Sequence, residues 1–190
     1  MNSDTRIDRE PLSEEEVIQK AKSDPEAFRS IYEKYFKRIF LFVLHRVGDK
    51  DLSADITSQV FLKALQKLHQ YQPRGLPFSS WLFRIAANEC LDFFRRHKRV
   101  RWIVLEDKHA DLLYEEMFGN EMINELKSRL PLILEKLTPD ELQLIELRFM
   151  ESRPFKEVAE IVGVSETYAK VRTYRVLDKI KKLFIGSRKA

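Results

Sequence analysis

A run of cationic and hydrogen-bonding side chains follows Ser165, at the spacing of an α-helix. Lysine and arginine pair with phosphates and base edges, and hydroxyl groups add hydrogen bonds, so side chains of this kind suit a nucleic acid. The residues predicted to contact DNA in this part of the chain are Arg148, Lys156, Ser165, Thr167, Tyr168, Lys170, Val171, Arg172, Tyr174 and Arg175. We expect Lys170 and Arg175 at base edges or nearby phosphates, where Tyr174 adds a hydroxyl group and a ring. Arg148, Lys156 and Arg172 are expected to hold phosphates, and the alternative for Arg172 and Arg175 is an ion pair with a carboxylate of the same domain.

Two predicted helices position these side chains. Apolar residues recur at three- and four-residue steps from Phe155 to Val162, which is the pattern of one buried helical face. Gly163 can adopt the left-handed backbone that ends a helix, and Ser165 can cap the next one. Ala169 and Val171 are expected to face the first helix. The pair predicts a helix-turn-helix whose second helix fits a DNA major groove, with a plain helical hairpin carrying a solvated basic face as the alternative.

The charges of the 190-residue chain are unevenly distributed. The net charge is only +4, but basic residues crowd the ranges 95–101 and 170–189, while acidic residues crowd 106–125. Two separate basic patches are compatible with two contact sites on one nucleic acid. The high charged content, the few glycines and the scarcity of strand-like alternation favour an all-α fold.

Three capping patterns divide the chain into helices. Ser13 with Glu16 forms a capping box, Asp24 is followed by a proline, and Thr138 precedes Pro139. We predict two small helical domains joined by a flexible acidic linker that becomes helical towards its end, with the helix-turn-helix in the C-terminal domain. The predicted boundaries are a tail and short helix at 1–23, a first domain at 24–100, the linker at 101–127, a second domain at 128–186 and a tail at 187–190.

Nothing in the sequence predicts an enzyme. Cys90 is the single cysteine, the four histidines are scattered, and no glycine-rich phosphate loop or His-Glu-x-x-His pattern is present. We therefore expect no cofactor, no metal site and no small-molecule substrate. The polar N-terminus lacks the apolar core of a signal peptide, and no apolar run approaches bilayer length. We expect a cytoplasmic protein without membrane insertion.

Three segments occur in an order that resembles the extracytoplasmic-function class of bacterial sigma factors, within the sigma-70 family. SADITSQVFLKAL (53–65) is similar to that class's polymerase-binding helix, and FSSWLFRIAANECLDFFRR (78–96) to its segment for the −10 promoter element. Residues 137–180 are similar to its −35 domain. The resemblance implies a protein that binds core RNA polymerase, recognises both elements of promoter DNA and directs transcription initiation. It also implies control by an anti-sigma factor, which could hold the protein near the membrane.

The resemblance assigns residues to each partner. Docking on the β′ clamp helices of the polymerase is implied for Asp55, Ile56, Ser58, Gln59 and Leu62, and the β flap is implied as a second polymerase contact. For the −10 element the implied residues are Tyr71, Arg74, Phe78, Ser80, Trp81, Arg84, Asn88, Arg95 and Arg96. The loop at 71–77 would shape a pocket for a flipped base, and Ser79 or Ser80 would cap the helix behind it. Trp81, Phe93 and Phe94 could instead belong to the core.

Two motifs depart from the pattern of the class. After Asp55, Ser58 and Gln59 stand where a glutamine followed by an acidic residue is usual, which removes one acidic contact to the polymerase. Val171 stands where a serine is usual in the recognition helix, and Tyr168 adds bulk near its start. Two other functions stay open. One is a conventional helix-turn-helix regulator that binds duplex DNA alone, and the other is a helical adaptor that binds only protein.

Overall fold

The computed structural model of the chain describes residues 12–97, 107–119 and 129–186. Within these ranges the structure is helical and contains no strand. The N-terminal helices are α1 (Glu14–Ser23), α2 (Phe28–Val47), α3 (Lys50–Lys67) and α4 (Phe78–His97), with 3₁₀ turns at Pro25–Ala27 and Leu68–Gln70. The later helices are α5 (Asp107–Phe118), α6 (Leu130–Leu134), α7 (Pro139–Ile145), α8 (Phe155–Val162) and α9 (Glu166–Gly186). A π turn at Glu146–Met150 extends α7.

Side-chain caps begin the helices where the sequence predicts them. In α1, the backbone N–H of Glu16 donates to Ser13 Oγ (3.3 Å) while the Ser13 N–H donates to Glu16 Oε2 (2.8 Å). Thr138 makes the same reciprocal pair at the start of α7. Asp24 accepts from the Glu26 N–H at 3.1 Å and opens the turn that leads into α2. The three predicted caps are confirmed, and each satisfies backbone donors that a helix start leaves unpaired.

The start of α4 differs from the prediction. Ser79 and Ser80 do not cap this helix, because it begins at Phe78 and both serines lie buried within its first turn. The backbone N–H of Ser80 donates to the carbonyl of Pro77 (2.9 Å), so the proline supplies the last acceptor before the helix. The two hydroxyl groups are used instead in contacts with the C-terminal half of the chain.

The N-terminal helices enclose one hydrophobic core. Ile39 of α2, Val60 of α3 and Leu82 of α4 are fully buried in it. An ion pair between Lys63 and Glu89 (2.5 Å) also joins α3 to α4. Helix α2 ends at Gly48, whose φ of 70° is the left-handed conformation that glycine adopts without strain. These contacts fix α3 and α4 relative to each other, and both carry predicted site residues.

A second core joins α5, α6, α7 and the later part of α9. Its buried members include Tyr114 of α5, Leu134 of α6, Ile145 of α7 and Ile180 of α9. Helix α5 lies inside the predicted linker, residues 101–127. Between Asp107 and Phe118 the acidic stretch is therefore a helix that buries one face in the C-terminal domain.

The predicted helix-turn-helix is formed by α8 and α9. Gly163 has a φ of 76° and ends α8, and Ser165 Oγ accepts from the Tyr168 N–H (3.2 Å) at the start of α9. Ala169 is fully buried as expected, but Val171 is 44 % exposed, so the prediction that it faces α8 is wrong. Two residues along a helix turn the side chain by about 200°, which places Val171 opposite Ala169. Thr173 takes the inner position, and its hydroxyl donates to the Ala169 carbonyl (2.8 Å).

Candidate nucleic-acid and polymerase interfaces

The outer face of α9 presents the polar side chains that the sequence predicts for DNA. On its other side α9 packs against α8, and Ala169 and Thr173 are fully buried there. The exposed residues are Ser165, Thr167, Tyr168, Lys170, Val171, Tyr174 and Arg175. They follow each other at three- and four-residue steps, so they form one continuous surface about three turns long. A helix presenting cations and hydroxyl groups in this way can enter a major groove.

Several other predicted contacts of this surface are already engaged within the protein. Arg172 lies 3.7 Å from an Asp140 carboxylate oxygen, as expected for a weak surface ion pair. Arg148 donates to the carbonyl of Arg153 (3.2 Å) and its guanidinium stands 5.1 Å from the Phe155 ring. The ammonium group of Lys156 reaches the carbonyl of residue 75 at 3.4 Å. Binding phosphates would require these groups to exchange partners.

Tyr174 has an environment that keeps its hydroxyl protonated. Its ring packs 6.1 Å from that of Phe155. Burial raises the pKa of the Tyr174 hydroxyl, and a hydrogen bond to the Glu116 carboxylate raises it further. A protonated hydroxyl can donate to a phosphate or a base acceptor, but here it first has to leave Glu116.

A pocket of aromatic rings and cations lies between the 71–77 loop and α4. Tyr71 and Trp81 pack with ring centroids 5.3 Å apart, and each also contacts Phe78. Phe78, Tyr71 and Ser80 are 2 %, 8 % and 0 % exposed, so the direct contacts with DNA predicted for these three residues do not fit this structure. Their side chains support the pocket from behind, while Arg74, Trp81 and Arg84 line it where it is open to solvent. Burial, together with the nearby carboxylates of α1, raises the pKa of the Tyr71 hydroxyl.

The remaining predicted −10 residues lie along α4. Asn88 is exposed and borders a cleft that Arg172 of α9 lines from the other side. Arg95 and Arg96 are exposed near the end of the helix, and Arg95 lies 3.3 Å from an Asp92 carboxylate oxygen one turn earlier. Phe93 and Phe94, for which a core position was the alternative, pack partly buried against the N-terminal core.

Carboxylates from α8 bond to residues of this pocket, which no pattern in the sequence predicts. The hydroxyl of Ser80 donates to Glu157 Oε2 (2.8 Å), and Arg84 Nη1 donates to Glu160 Oε1 (3.2 Å). The two partners of each pair are more than seventy residues apart in the chain. Periodicity and capping patterns carry no information about contacts at that separation, so no pattern in the sequence indicates them.

A third surface follows one side of α3. Asp55, Ser58, Gln59 and Leu62 are exposed and spaced by three and four residues, so they share a face. Leu62 is 48 % exposed and supplies the apolar part of this face. Ile56 is 8 % exposed and packs in the core, so it does not belong to this surface as predicted. The face combines one carboxylate, two polar groups and one apolar side chain, as a protein partner would require.

Two family matches cover the parts of the chain that carry these surfaces. Residues 31–100 match the family sigma-70 region 2, and residues 133–182 match the family sigma-70 region 4. The chain belongs to the sigma-70 family. A relative of this sigma factor is the ECF RNA polymerase sigma factor BldN of Streptomyces coelicolor, which is 28 % identical over 171 residues. The match covers 88 % of this chain, which spans 64 % of the length of BldN.

Two solved structures show the same fold as this sigma factor. One is CnrH in complex with the cytosolic domain of CnrY, with a TM-score of 0.59, 20 % identity, and coverage of 90 % of this chain and 96 % of that one. The other is the sigma factor RpoE in complex with the anti-sigma factor NepR from Bartonella quintana. Its TM-score is 0.57 at 17 % identity, and the match covers 84 % of this chain and 97 % of that one.

The family matches divide the surfaces between two regions. Region 2 contains the exposed face of α3 and the aromatic pocket, and region 4 contains the helix-turn-helix. In the part of the chain that the structure describes, no helix has the length and hydropathy needed to span a membrane.

Proposed function

We propose that this sigma factor binds core RNA polymerase, recognises the −10 and −35 promoter elements and directs transcription initiation. One observation carries the proposal: a single chain presents a polar protein-binding face, an aromatic pocket and a recognition helix, in the order of sigma-70 regions 2 and 4. A conventional helix-turn-helix regulator would need only the last of these three surfaces.

Region 2 would dock on the β′ clamp helices through the exposed face of α3. Leu62 supplies the apolar contact, and Asp55 and Gln59 supply polar contacts on the same side of the helix. A few well-buried side chains near the centre of an interface contribute most of the binding energy, and the contacts around them exclude water. Region 4 would make the second polymerase contact at the β flap.

The recognition helix would read the −35 element as intact duplex. Lys170 and Arg175 project from the exposed face of α9 and can reach guanine edges or adjacent phosphates. Ser165 and Thr167 stand at the N-terminal end of the helix, where backbone N–H groups also favour phosphate. The apolar side chain of Val171 can contact a thymine methyl group at the middle of the face.

The aromatic pocket would capture the −10 element after its strands separate. Unstacking a base costs a few kcal/mol, and stacking on an aromatic side chain returns about 1–3 kcal/mol per base. Trp81 can offer such a ring face, supported by the Tyr71 ring that packs against it, while Arg74 and Arg84 can hold the phosphates beside it. Asn88 could add a hydrogen bond to a base, and Arg95 with Arg96 would hold the duplex just upstream.

The cellular setting follows from these partners. The protein would act in the cytoplasm, where core polymerase and promoter DNA are located, and bond formation in RNA would belong to the polymerase. An anti-sigma factor would control its access to the polymerase, as the NepR complex suggests by analogy. Such a partner could also keep this protein near the membrane.

Reconstitution with bacterial core RNA polymerase tests the proposal. Transcription from a library of promoter-length DNA should start at discrete sites only when the protein is added, and the starts should share two sequence elements. A folded protein that neither binds core polymerase nor produces new starts would refute the proposal. Sequence-specific binding to duplex DNA without polymerase would then favour the regulator, and its absence would favour the adaptor.

A further inference from the structure

The recognition helix α9 has an apolar side chain at the centre of its exposed face. Ala169, Thr173 and Val176 are buried on the inner side of this part of the helix. At about 100° per residue, the direction opposite to the mean of these three lies within about 15° of Val171. Val171 therefore stands where the helix projects furthest from the domain, and in a major groove this point meets the edges of the bases.

Cations stand on both sides of this apolar point. Lys170 and Arg172 lie about 100° to either side of Val171, because each is its neighbour in the helix. A helix seated in the major groove has one phosphate backbone on each side and the base edges in front of it. The two cations therefore fit the walls of the groove and Val171 fits its floor. This distribution of charge favours duplex DNA as the occupant of the face.

The side chains around Val171 are held in place within the protein. The branched Cβ of a valine restricts its χ1 angle in a helix. Tyr168 and Tyr174 flank Val171 at about 60° on either side. The Tyr174 ring packs 6.1 Å from that of Phe155, and the guanidinium of Arg172 lies 5.9 Å from the centre of the Tyr168 ring. The three side chains form a strip about 9 Å long, or about three base pairs.

A valine at the floor of the groove can recognise only one kind of group. The C5-methyl of thymine is the apolar group that unmodified base pairs present in the major groove. Val171 can neither donate nor accept a hydrogen bond. Against a G·C pair it would remove water from the base donors and acceptors without replacing the lost hydrogen bonds, which is unfavourable. The identity of this side chain therefore discriminates between base pairs.

We propose that Val171 is a specificity-determining residue that selects a thymine in the upstream promoter element through its C5-methyl group. The inference rests on the proposed function, because it names the base that the recognition helix reads. Arg175 lies one turn further along the same side of α9, about 6 Å along the axis. A guanine read by Arg175 would then lie about two base pairs from this thymine.

Removing single methyl groups from the DNA tests the proposal. The strongest promoter of the reconstituted holoenzyme is resynthesised with 2′-deoxyuridine in place of each thymine of its upstream element, one at a time. Uracil keeps the hydrogen-bonding groups of thymine and lacks only the methyl. One of these substitutions should lower the promoter affinity of the holoenzyme about threefold to fivefold, as expected for one buried methyl group. A promoter without any sensitive thymine in this element would refute the proposal.

A methyl group added to another base provides the converse test. At the sensitive position, a C·G pair in place of T·A should weaken binding further than uracil does. 5-Methylcytosine in place of that cytosine should then recover about the same threefold to fivefold factor, since it restores a C5-methyl in the groove. No recovery would show that the protein recognises the A·T pair by other means, and the proposal would be wrong.

Two variants of α9 separate a protein contact from a property of the DNA. Val171→Ser should bind the thymine and uracil promoters equally, and it should fold because Val171 is 44 % exposed, which a cooperative thermal melt checks. Ile185→Ser is the matched control, since Ile185 is another exposed, branched side chain about 21 Å further along the helix. It should keep the full wild-type effect. Sensitivity to uracil that persists in Val171→Ser would come from DNA shape and refute the proposal.

The same measurements distinguish this proposal from the proposed function. Discrete promoter starts without any effect of uracil or of Val171→Ser would leave the sigma function intact and overturn the role of Val171 alone. Absence of starts with a folded protein would refute both. Unchanged promoter ranking together with weaker binding of Val171→Ser to core polymerase would assign the apolar strip to a protein contact, and the proposal would again be wrong.

Discussion

Replacing Lys170 by alanine tests the recognition helix most directly. Lys170 is exposed on the outer face of α9, and it makes no ion pair with another residue that the structure describes. Its removal should therefore change the free energy of unfolding by less than about 0.5 kcal/mol. Any larger change in promoter recognition must then come from a lost contact with DNA.

The size of the effect depends on what Lys170 contacts. If its ammonium group reaches a base edge, Lys170→Ala should weaken recognition of the upstream element by about 1–3 kcal/mol, or roughly 5- to 150-fold. The preference at one or two base pairs should relax at the same time. If it holds a phosphate, the loss should be similar for all sequences, and the slope of log affinity against log salt should fall by about 1.

The assay compares start-site profiles and promoter affinities of the reconstituted holoenzyme at several salt concentrations. Lys182→Ala is the matched control, since Lys182 is exposed on the same helix about 18 Å further along its axis. A Lys170→Ala holoenzyme with unchanged promoter ranking and unchanged salt slope would refute the assignment of this face to DNA. This conclusion requires that the Lys170→Ala protein still binds core polymerase as the wild type does.

Further variants test the fold and the polymerase contact. Thr138→Ala removes a capping hydroxyl and should lower the free energy of unfolding by about 1 kcal/mol in a denaturant titration. Burial alone raises the pKa of Glu141, but hydrogen bonds from Lys179 and Thr138 outweigh it and lower the net pKa. Wild type should therefore have a larger free energy of unfolding than Glu141→Gln at neutral pH, and this difference should vanish as the pH falls through that lowered pKa. Burial raises the pKa of the Glu151 carboxyl despite the nearby arginines, so the charged form destabilises the fold at neutral pH. Unfolding titrations across pH should therefore show Glu151→Gln to be more stable than wild type at neutral pH. Below the ordinary carboxyl pKa the two proteins should be equally stable. Leu62→Ala should weaken polymerase binding roughly tenfold with unchanged unfolding, and full affinity would exclude this face of α3 from the interface.

Helix boundaries set by local chemistry could be predicted from the sequence. A cap involves a side chain and a backbone donor no more than three residues apart, so Ser13, Asp24 and Thr138 reveal their helices without tertiary information. Gly163 identifies the turn for a related reason, since its left-handed backbone is strained for any residue with a Cβ atom. The ordering of such local elements was enough to predict an all-α chain with a helix-turn-helix.

Side-chain direction was harder to predict. Ile56 was predicted to contact the polymerase and Val171 to face α8, but Ile56 is buried in the core and Val171 is exposed. An error of one residue turns a helical side chain by 100°, which is enough to exchange core for surface. The motif resemblance also predicted a DNA contact for Phe78, which is buried. An aromatic ring in a binding segment can support the pocket without touching the ligand.

The acidic stretch before region 4 shows a limit of composition. Its charges favour a linker that becomes helical only towards its end, but the helix already begins at Asp107, and Leu113, Tyr114 and Met117 bury one face of it. The opposite face of α5 is acidic and lies beside the recognition helix, where the Tyr174 hydroxyl donates a hydrogen bond to the Glu116 carboxylate. A sparse apolar stripe was therefore a better indicator of structure here than the average charge.

The contact between regions 2 and 4 combines apolar packing with buried charge. Leu147, Val158 and Ile161 join the core of the N-terminal helices, and Arg46 pairs with Glu146 across the contact. Removing one member of a buried ion pair leaves the other charge without its partner, which costs about 3–5 kcal/mol. The charges therefore make the contact specific, while apolar burial supplies its stability.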